Sequence, residues 1–271
     1  MATTKKVTQV KSDKPKASGG TSGRVFTPTP EHKSQATTRR ILAFVCWIVA
    51  IAAEVGAIFQ VLRFATKRLI PALDPFVLII ILIVVDVILA IVGSMCWKKA
   101  NRLDPPSERN KALFITQSEL GVLMTAIAFI PLIVLIFMSK DIKGKQKGIL
   151  GGIAVVAFLV AGFASADYSP VSQEQYAAET SIVNAFTGKD EVYWTKSGTK
   201  YHLYDNCYTI NTDKTDEIFT GTVADAHADK NITELCKICE SNARKDPEMP
   251  ASQLTDEQIN AILEHATAAV Q

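Results

Sequence analysis

Catalytic signatures are missing from this chain. Its 271 residues contain no H-E-x-x-H, no nucleophile elbow, no P-loop and no dinucleotide fingerprint. Sulfur and imidazole are scarce, with five cysteines and four histidines, which leaves no disulfide framework. Net charge is also small: 29 Lys and Arg against 27 Asp and Glu give +2, so no overall field selects nucleic acid or acidic partners. That sum averages a basic N-terminal tail with an acidic C-terminal region. These absences set aside the common hydrolase, nucleotidase and dehydrogenase sites. Two features remain: long apolar runs and one cluster of soft metal ligands.

Nearly half of the residues, 48%, are apolar, and they are bunched into runs rather than spread at amphipathic spacing. Residues 41–62, 76–97, 119–138 and 149–166 each approach or exceed the ~20 residues needed to cross a hydrocarbon core; the third run has an alternative start at Leu113. Phe76 to Val85 has no polar residue, so a helix there is apolar on every face, which a surface helix of a soluble domain is not. The fold class is therefore an α-helical membrane protein with four transmembrane helices (residues 39–167), and the lipid bilayer is its first partner. The first run starts forty residues in and three more follow, so it is expected to be an anchor and not a cleaved signal peptide.

Nine Lys and Arg precede the first run, and Lys98, Lys99, Arg102, Arg109 and Lys111 follow the second, against seven in the two opposite loops. The positive-inside rule puts the N-terminus in the cytoplasm, and four crossings return the C-terminal region there. Lys140, Lys143, Lys145 and Lys147 argue locally for the opposite orientation of the fourth helix. Residues 1–38 are rich in Lys, Ser, Thr, Gly and Pro and are expected to form a disordered basic tail. Its cations suit anionic lipid headgroups at ~1 kcal/mol for each charge near the surface, and a merely topogenic role fits equally. Nucleic-acid binding by the tail lacks the aromatic residues that would stack bases.

The soft ligands are His202, Cys207, Cys236 and Cys239. Their order, H-x4-C followed further along by C-x2-C, supplies the nitrogen and three sulfurs of a tetrahedral zinc site. Four protein ligands close the shell and leave no position for catalytic water, so the expected cofactor is structural zinc and the expected class is not an enzyme. Residues alternate apolar and polar on both sides of Ser197-Gly198, as in a tight hairpin whose second arm presents His202. His227, in Val-Ala-Asp-Ala-His-Ala-Asp, is the rival ligand, although its surroundings fit the decoration of a short helix better.

Val192-Tyr-Trp-Thr, Ser197-Gly198, Tyr201-His202, Cys207, Gly221-Thr-Val-Ala-Asp-Ala226 and Cys236-x2-Cys239 together resemble the small Ada-like metal-binding domain, which is also appended to bacterial nucleases and DNA-uptake hydrolases. The resemblance covers residues 190 to 242 and implies a compact ββα unit around one zinc ion, held by His202, Cys207, Cys236 and Cys239. DNA-repair members of that family pass a methyl group to a metal-bound cysteine at a site that looks like four cysteines. Here one ligand is a histidine, and methyl transfer is not carried over.

Around that module (190–245), residues 168–189 read as a helical stalk from Ser172 to Gly188, and 246–271 as a linker and an amphipathic helix behind a Thr255-Asp-Glu-Gln258 capping box. The apolar stripe of that last helix, Ile259, Ile262, Leu263 and Ala266, packs either on its own domain or on a protein partner. Glu54 and Asp86 lie inside the first and second runs, where an ionised carboxylate costs ~2.5–3.5 kcal/mol or more. No Lys, Arg or His lies within the runs to pair with them. They either hydrogen-bond across the bundle to Gln60, Thr125 or Ser94, or share a proton on a transport path. Three functions follow: a membrane protein displaying a zinc module to a partner, a small proton or cation transporter using Glu54 and Asp86, and an accessory protein of DNA uptake or repair.

Overall fold

The computed structural model describes residues 6–10, 26–65, 69–230 and 232–268, and the chain divides into two compact units. One unit comprises residues 37–100 and 111–170; the other joins the chain from Val171 onward to residues 101–110 and to the N-terminal stretch ending at Ala36. Lys67 and Arg68, which entered the charge count, lie outside the described residues, as does most of the N-terminal tail.

The first unit is built on α1 (Pro30–Leu62), α2 (Pro75–Leu103), α3 (Lys111–Ser118), α4 (Leu120–Met138) and α5 (Gly144–Ser165). All of these but α3 are long and apolar enough to cross a membrane. The third span is α4, because the chain breaks at Glu119 and Leu113 falls on the separate α3. Each long helix buries one stripe. On α1 it runs Ala43, Trp47, Ala50, Glu54, Ala57, Val61, and on α2 Ile79, Ile83, Asp86, Ala90, Ser94, Trp97. Steps of three and four residues keep these side chains on one face. The opposite faces expose Ile48, Val55, Ile88, Ile127, Val156 and Phe163, an apolar surface too large for water and suited to lipid. At the polar end of the stripes Ser94 Oγ donates to Ala90 O and lies 2.9 Å from Ser165 Oγ, which lies 3.2 Å from Thr125 Oγ1. Gly121 makes that junction accessible: a Cβ there would stand 2.6 Å from Ser94 Oγ.

In the second unit α6 (Gln173–Thr187) opens on the Ser172 hydroxyl, which accepts from Gln175 N–H at 3.0 Å, and closes on Gly188 at φ 76°. Then come β2 (Val192–Thr195), β3 (Lys200–Tyr201), β4 (Glu217–Gly221), α7 (Val223–Lys230), β5 (Glu234–Leu235), α8 (Lys237–Ala243), a 3-10 turn (Pro250–Gln253) and α9 (Asp256–Ala268). The N-terminal segment adds β1 (Lys6–Gln9). One sheet has the order β1-β4-β2, parallel between β1 and β4 and antiparallel between β4 and β2; β3 and β5 form a second, parallel pair.

This topology does not by itself show a ββα unit. The turn at Ser197-Gly198 is present, since Tyr193 and His202 exchange both backbone hydrogen bonds at 2.8 and 2.7 Å. The main partner of β2 is nevertheless β4, whose short Glu-Ile-Phe-Thr-Gly alternation is a weak strand signal on its own. The helix read as a stalk is not free-standing: Val183 and Phe186 of α6 lie in one core with Val192, Trp194, Ile218 and Val223. The same core takes Ile259 of α9. The side chains of Leu263 and Ala266 lie outside the described residues. The tail expected to be disordered contributes β1 and, from Pro30, the start of α1.

Candidate metal centre

Two loops and a helix start bring the four ligands together. His202 follows β3 directly, held by its paired backbone bonds to Tyr193. Cys207 closes the next turn, where its N–H donates to Tyr204 O and its O accepts from Ile210 and Asn211 N–H. Cys236 follows β5, its N–H bonded to Tyr201 O at 2.9 Å, and stands at the N-cap of α8; Cys239 is one turn further on. All four residues are buried, and their ligand atoms lie within 4.8 Å of one another. Zn–S of ~2.3 Å and Zn–N of ~2.0–2.1 Å set the edges of a tetrahedron at roughly 3.5–3.8 Å. His202 Nδ1 is 3.5 Å from Cys239 Sγ, an edge of that length.

The electrostatics fit a cation. Burial lowers His202 to about 4, assisted by Lys200, so the imidazole is neutral at physiological pH, as a ligand must be. Burial raises the Cys239 thiol, and its neighbours Cys207 and Cys236 push the same way against the Leu203 N–H. At Cys236 burial opposes the thiolate, but the N–H groups of Cys239 and Ile238 and the Thr209 hydroxyl outweigh it and lower its pKa. Backbone donors aimed at sulfur are the outer shell of a thiolate site. Three buried sulfurs so close together cannot all carry charge unless a cation sits among them.

Thr209 was not legible as part of the site. Its hydroxyl lies 3.2 Å from Cys207 Sγ, 3.4 Å from His202 Nδ1 and 4.0 Å from Cys236 Sγ. Nothing in its sequence position, two residues after a cysteine, marks it.

His227 is not part of this cluster. It is fully buried on α7, with Nε2 2.6 Å from Glu179 Oε2 and its ring 4.3 Å from that of Tyr176. Its neighbour Asp225 forms a capping box: Thr222 N–H donates to Asp225 Oδ2 at 2.8 Å, and Asp225 N–H to Thr222 Oγ1 at 3.2 Å. Asp225 also pairs with His32 Nε2 at 3.0 Å. The Gly-Thr-Val-Ala-Asp-Ala motif is thereby explained. A Cβ at Gly221 would meet Asp225 Oδ2 at 2.8 Å and Trp194 Cη2 at 3.0 Å.

Glu54 and Asp86 are both buried, apart from the metal ligands, in the first unit. Of the hydrogen-bond partners considered for them, Gln60 Oε1 accepts from Leu69 N–H, and Ser94 and Thr125 belong to the hydroxyl cluster with Ser165. Among the described residues, the ligand atoms of His202, Cys207, Cys236 and Cys239 thus cluster in the second unit, and Glu54 and Asp86 lie buried in the first. No protein-family model matches this chain, and no curated protein and no solved structure matches it either.

Proposed function

We propose that this chain is a membrane-anchored interaction protein: its helices hold a structurally zinc-bound module against the cytoplasmic face, where the module docks a protein partner. The observation that carries this reading is the closed cluster of His202, Cys207, Cys236 and Cys239, whose ligand atoms all lie within 4.8 Å of one another. A hard cation would want oxygen ligands, whereas three thiolates and an imidazole suit zinc. Four buried protein ligands leave no open position for substrate, which favours a structural ion over a catalytic one. The module is read as a relative of the Ada-like zinc domain, enlarged by α6, α9 and β1.

Its sidedness is supported by how the second unit is assembled. His32 near the start of α1 pairs with Asp225, and Tyr176 O–H donates to Arg102 O at the end of α2 at 2.8 Å. Residues before the first span, after the second and after the fourth meet in one unit when an even number of crossings separates them. The excess of Lys and Arg beside the first two of these segments favours the cytoplasm.

The test is paired. Full-length protein purified from membranes is analysed for metals, and cross-linked partners are compared between wild type and Cys236→Ser. The expected result is one zinc per chain and a cross-linked protein that the variant loses along with the metal. A protein without zinc, or a partner kept equally by the metal-free variant, would refute the reading.

A further inference from the structure

Thr209 is an exposed residue held between two buried ones. Cys207 O accepts from Ile210 N–H at 3.0 Å and from Asn211 N–H at 2.8 Å, and the side chains of Cys207 and Ile210 both enter the core of the second unit. The turn is therefore anchored on either side of residue 209. Although the residue faces solvent, its hydroxyl is turned inward, 3.2 Å from Cys207 Sγ, 3.4 Å from His202 Nδ1 and 4.0 Å from Cys236 Sγ. Among the described residues its hydrogen-bonding contacts are all to ligand atoms. The remaining member of the cluster, Cys239, is the deepest at 0% exposure, against 4%, 7% and 4% for His202, Cys207 and Cys236. Thr209 thus covers the outward face of the cluster.

A threonine hydroxyl has one proton to give. An imidazole nitrogen that ligates a metal has no lone pair left to accept it, and of the two sulfurs Cys207 Sγ is the nearer, so the proton goes to Cys207. The sulfurs of Cys236 and Cys239 face backbone N–H groups, those of Cys239 and Ile238 in the first case and that of Leu203 in the second. At Cys207 the Thr209 hydroxyl takes the same part. Outer-shell donors orient a metal ligand, and the groups around a site govern how solvent reaches it. Both effects bear on metal retention.

We propose that Thr209 is an outer-shell positioning residue of the metal centre: its hydroxyl donates to the Cys207 sulfur across the outward face of the cluster and so sets how tightly the centre holds its metal. The inference rests on the zinc reading above and adds to it a residue that is not itself a ligand.

The test loads full-length protein in detergent with Zn²⁺ and titrates it with a chromogenic chelator. Thr209→Val, which keeps the branched shape and removes the hydroxyl, should weaken zinc binding by about 10–100-fold, the range for outer-shell partners of metal ligands. Thr209→Ala should weaken it as well. Thr209→Ser, which keeps the donor, should bind as the wild type does. Tyr208 is a 68% exposed neighbour in the same turn, and Tyr208→Ala, as the control for a disturbed turn, should leave the affinity unchanged. With Co²⁺ in place of zinc, the sulfur-to-metal absorption band should move in Thr209→Val and stay in place in Thr209→Ser. Wild-type affinity in Thr209→Val, or an equal loss in Thr209→Ser or Tyr208→Ala, would overturn the inference and leave the zinc reading standing. A wild type that takes up neither ion overturns both. Thr209→Ala and Thr209→Ser decide the matter if Thr209→Val does not fold.

Discussion

The imidazole Nδ1 of His202 stands 3.5 Å from the sulfur of Cys239, although 37 residues separate them. One belongs to the strand side of the module and the other to the first turn of α8, so a metal ion bound by both would tie the two halves. Structural zinc sites supply on the order of 10–16 kcal/mol of apparent binding energy at neutral pH, as much as the whole stability of an ordinary domain. Chelation, Cys239→Ser or His202→Ala should therefore release the metal and open the region between β2 and α8. Limited proteolysis of the full chain, with and without chelator, measures this. A protease-resistant module without metal would count against it.

Gly221→Ala should destabilise the second unit by about 1–2 kcal/mol. The new methyl group would stand 2.8 Å from Asp225 Oδ2 and 3.0 Å from Trp194 Cη2, so either the capping box or the fully buried indole must shift. Thermal unfolding in detergent reads the effect. Thr222→Ala, which removes the cap without crowding Trp194, should cost about 1 kcal/mol.

Asp190 carries a pH dependence of defined sign. Its Oδ1 accepts from Val223 N–H at 3.0 Å, while burial, with Asp225 nearby, raises it from 3.8 to about 6. Below about pH 4 the carboxyl is protonated in both folded and unfolded chains and costs nothing. As the pH rises through about 6 the folded state must ionise a buried acid, and stability is lost. Asp190→Asn keeps the acceptor and removes the charge, so above pH 7 it should be the more stable form by up to about 3 kcal/mol. The difference between the two melting curves should vanish by about pH 4. A constant difference across that range would refute the assignment.

Sidedness is measurable with a membrane-impermeant thiol reagent, in a background lacking Cys46 and Cys96. Gln35, Glu248 and Ala72 are exposed and serve as introduced cysteine sites. Those at 35 and 248 should react only after lysis, and that at 72, in the loop between α1 and α2, in intact cells. Reaction at 248 without lysis would put the module outside.

The long apolar helices and the His/Cys cluster were legible in the sequence because each rests on local patterns. A run such as Phe76 to Val85 needs no partner to be recognised, and Cys236-x2-Cys239 declares its geometry within one turn. What escaped depends on distant chain. Glu179 and His227 are 48 residues apart, and neither predicts that the other will lie against it. The strand at β4 exists because β2 needs an antiparallel neighbour, and Thr209 joins the site because a turn folds it over the sulfurs. The role of α6 was missed for the same reason: its capping signals mark a helix but not the core that Val183 and Phe186 enter.

The sheet of the second unit also fixes an order of events. Strand β1 runs parallel to β4 with Lys6 opposite Glu217, so β1 leaves the ribosome long before the strand it pairs with. At about 5–20 residues per second the interval is roughly 10–40 s, longer than hairpin or helix formation by many orders of magnitude. All four apolar helices are synthesised within it. The N-terminal segment is thus the final edge laid on a sheet that the rest of the chain must first build, and a nascent chain stalled before β4 leaves that segment with no place in the fold.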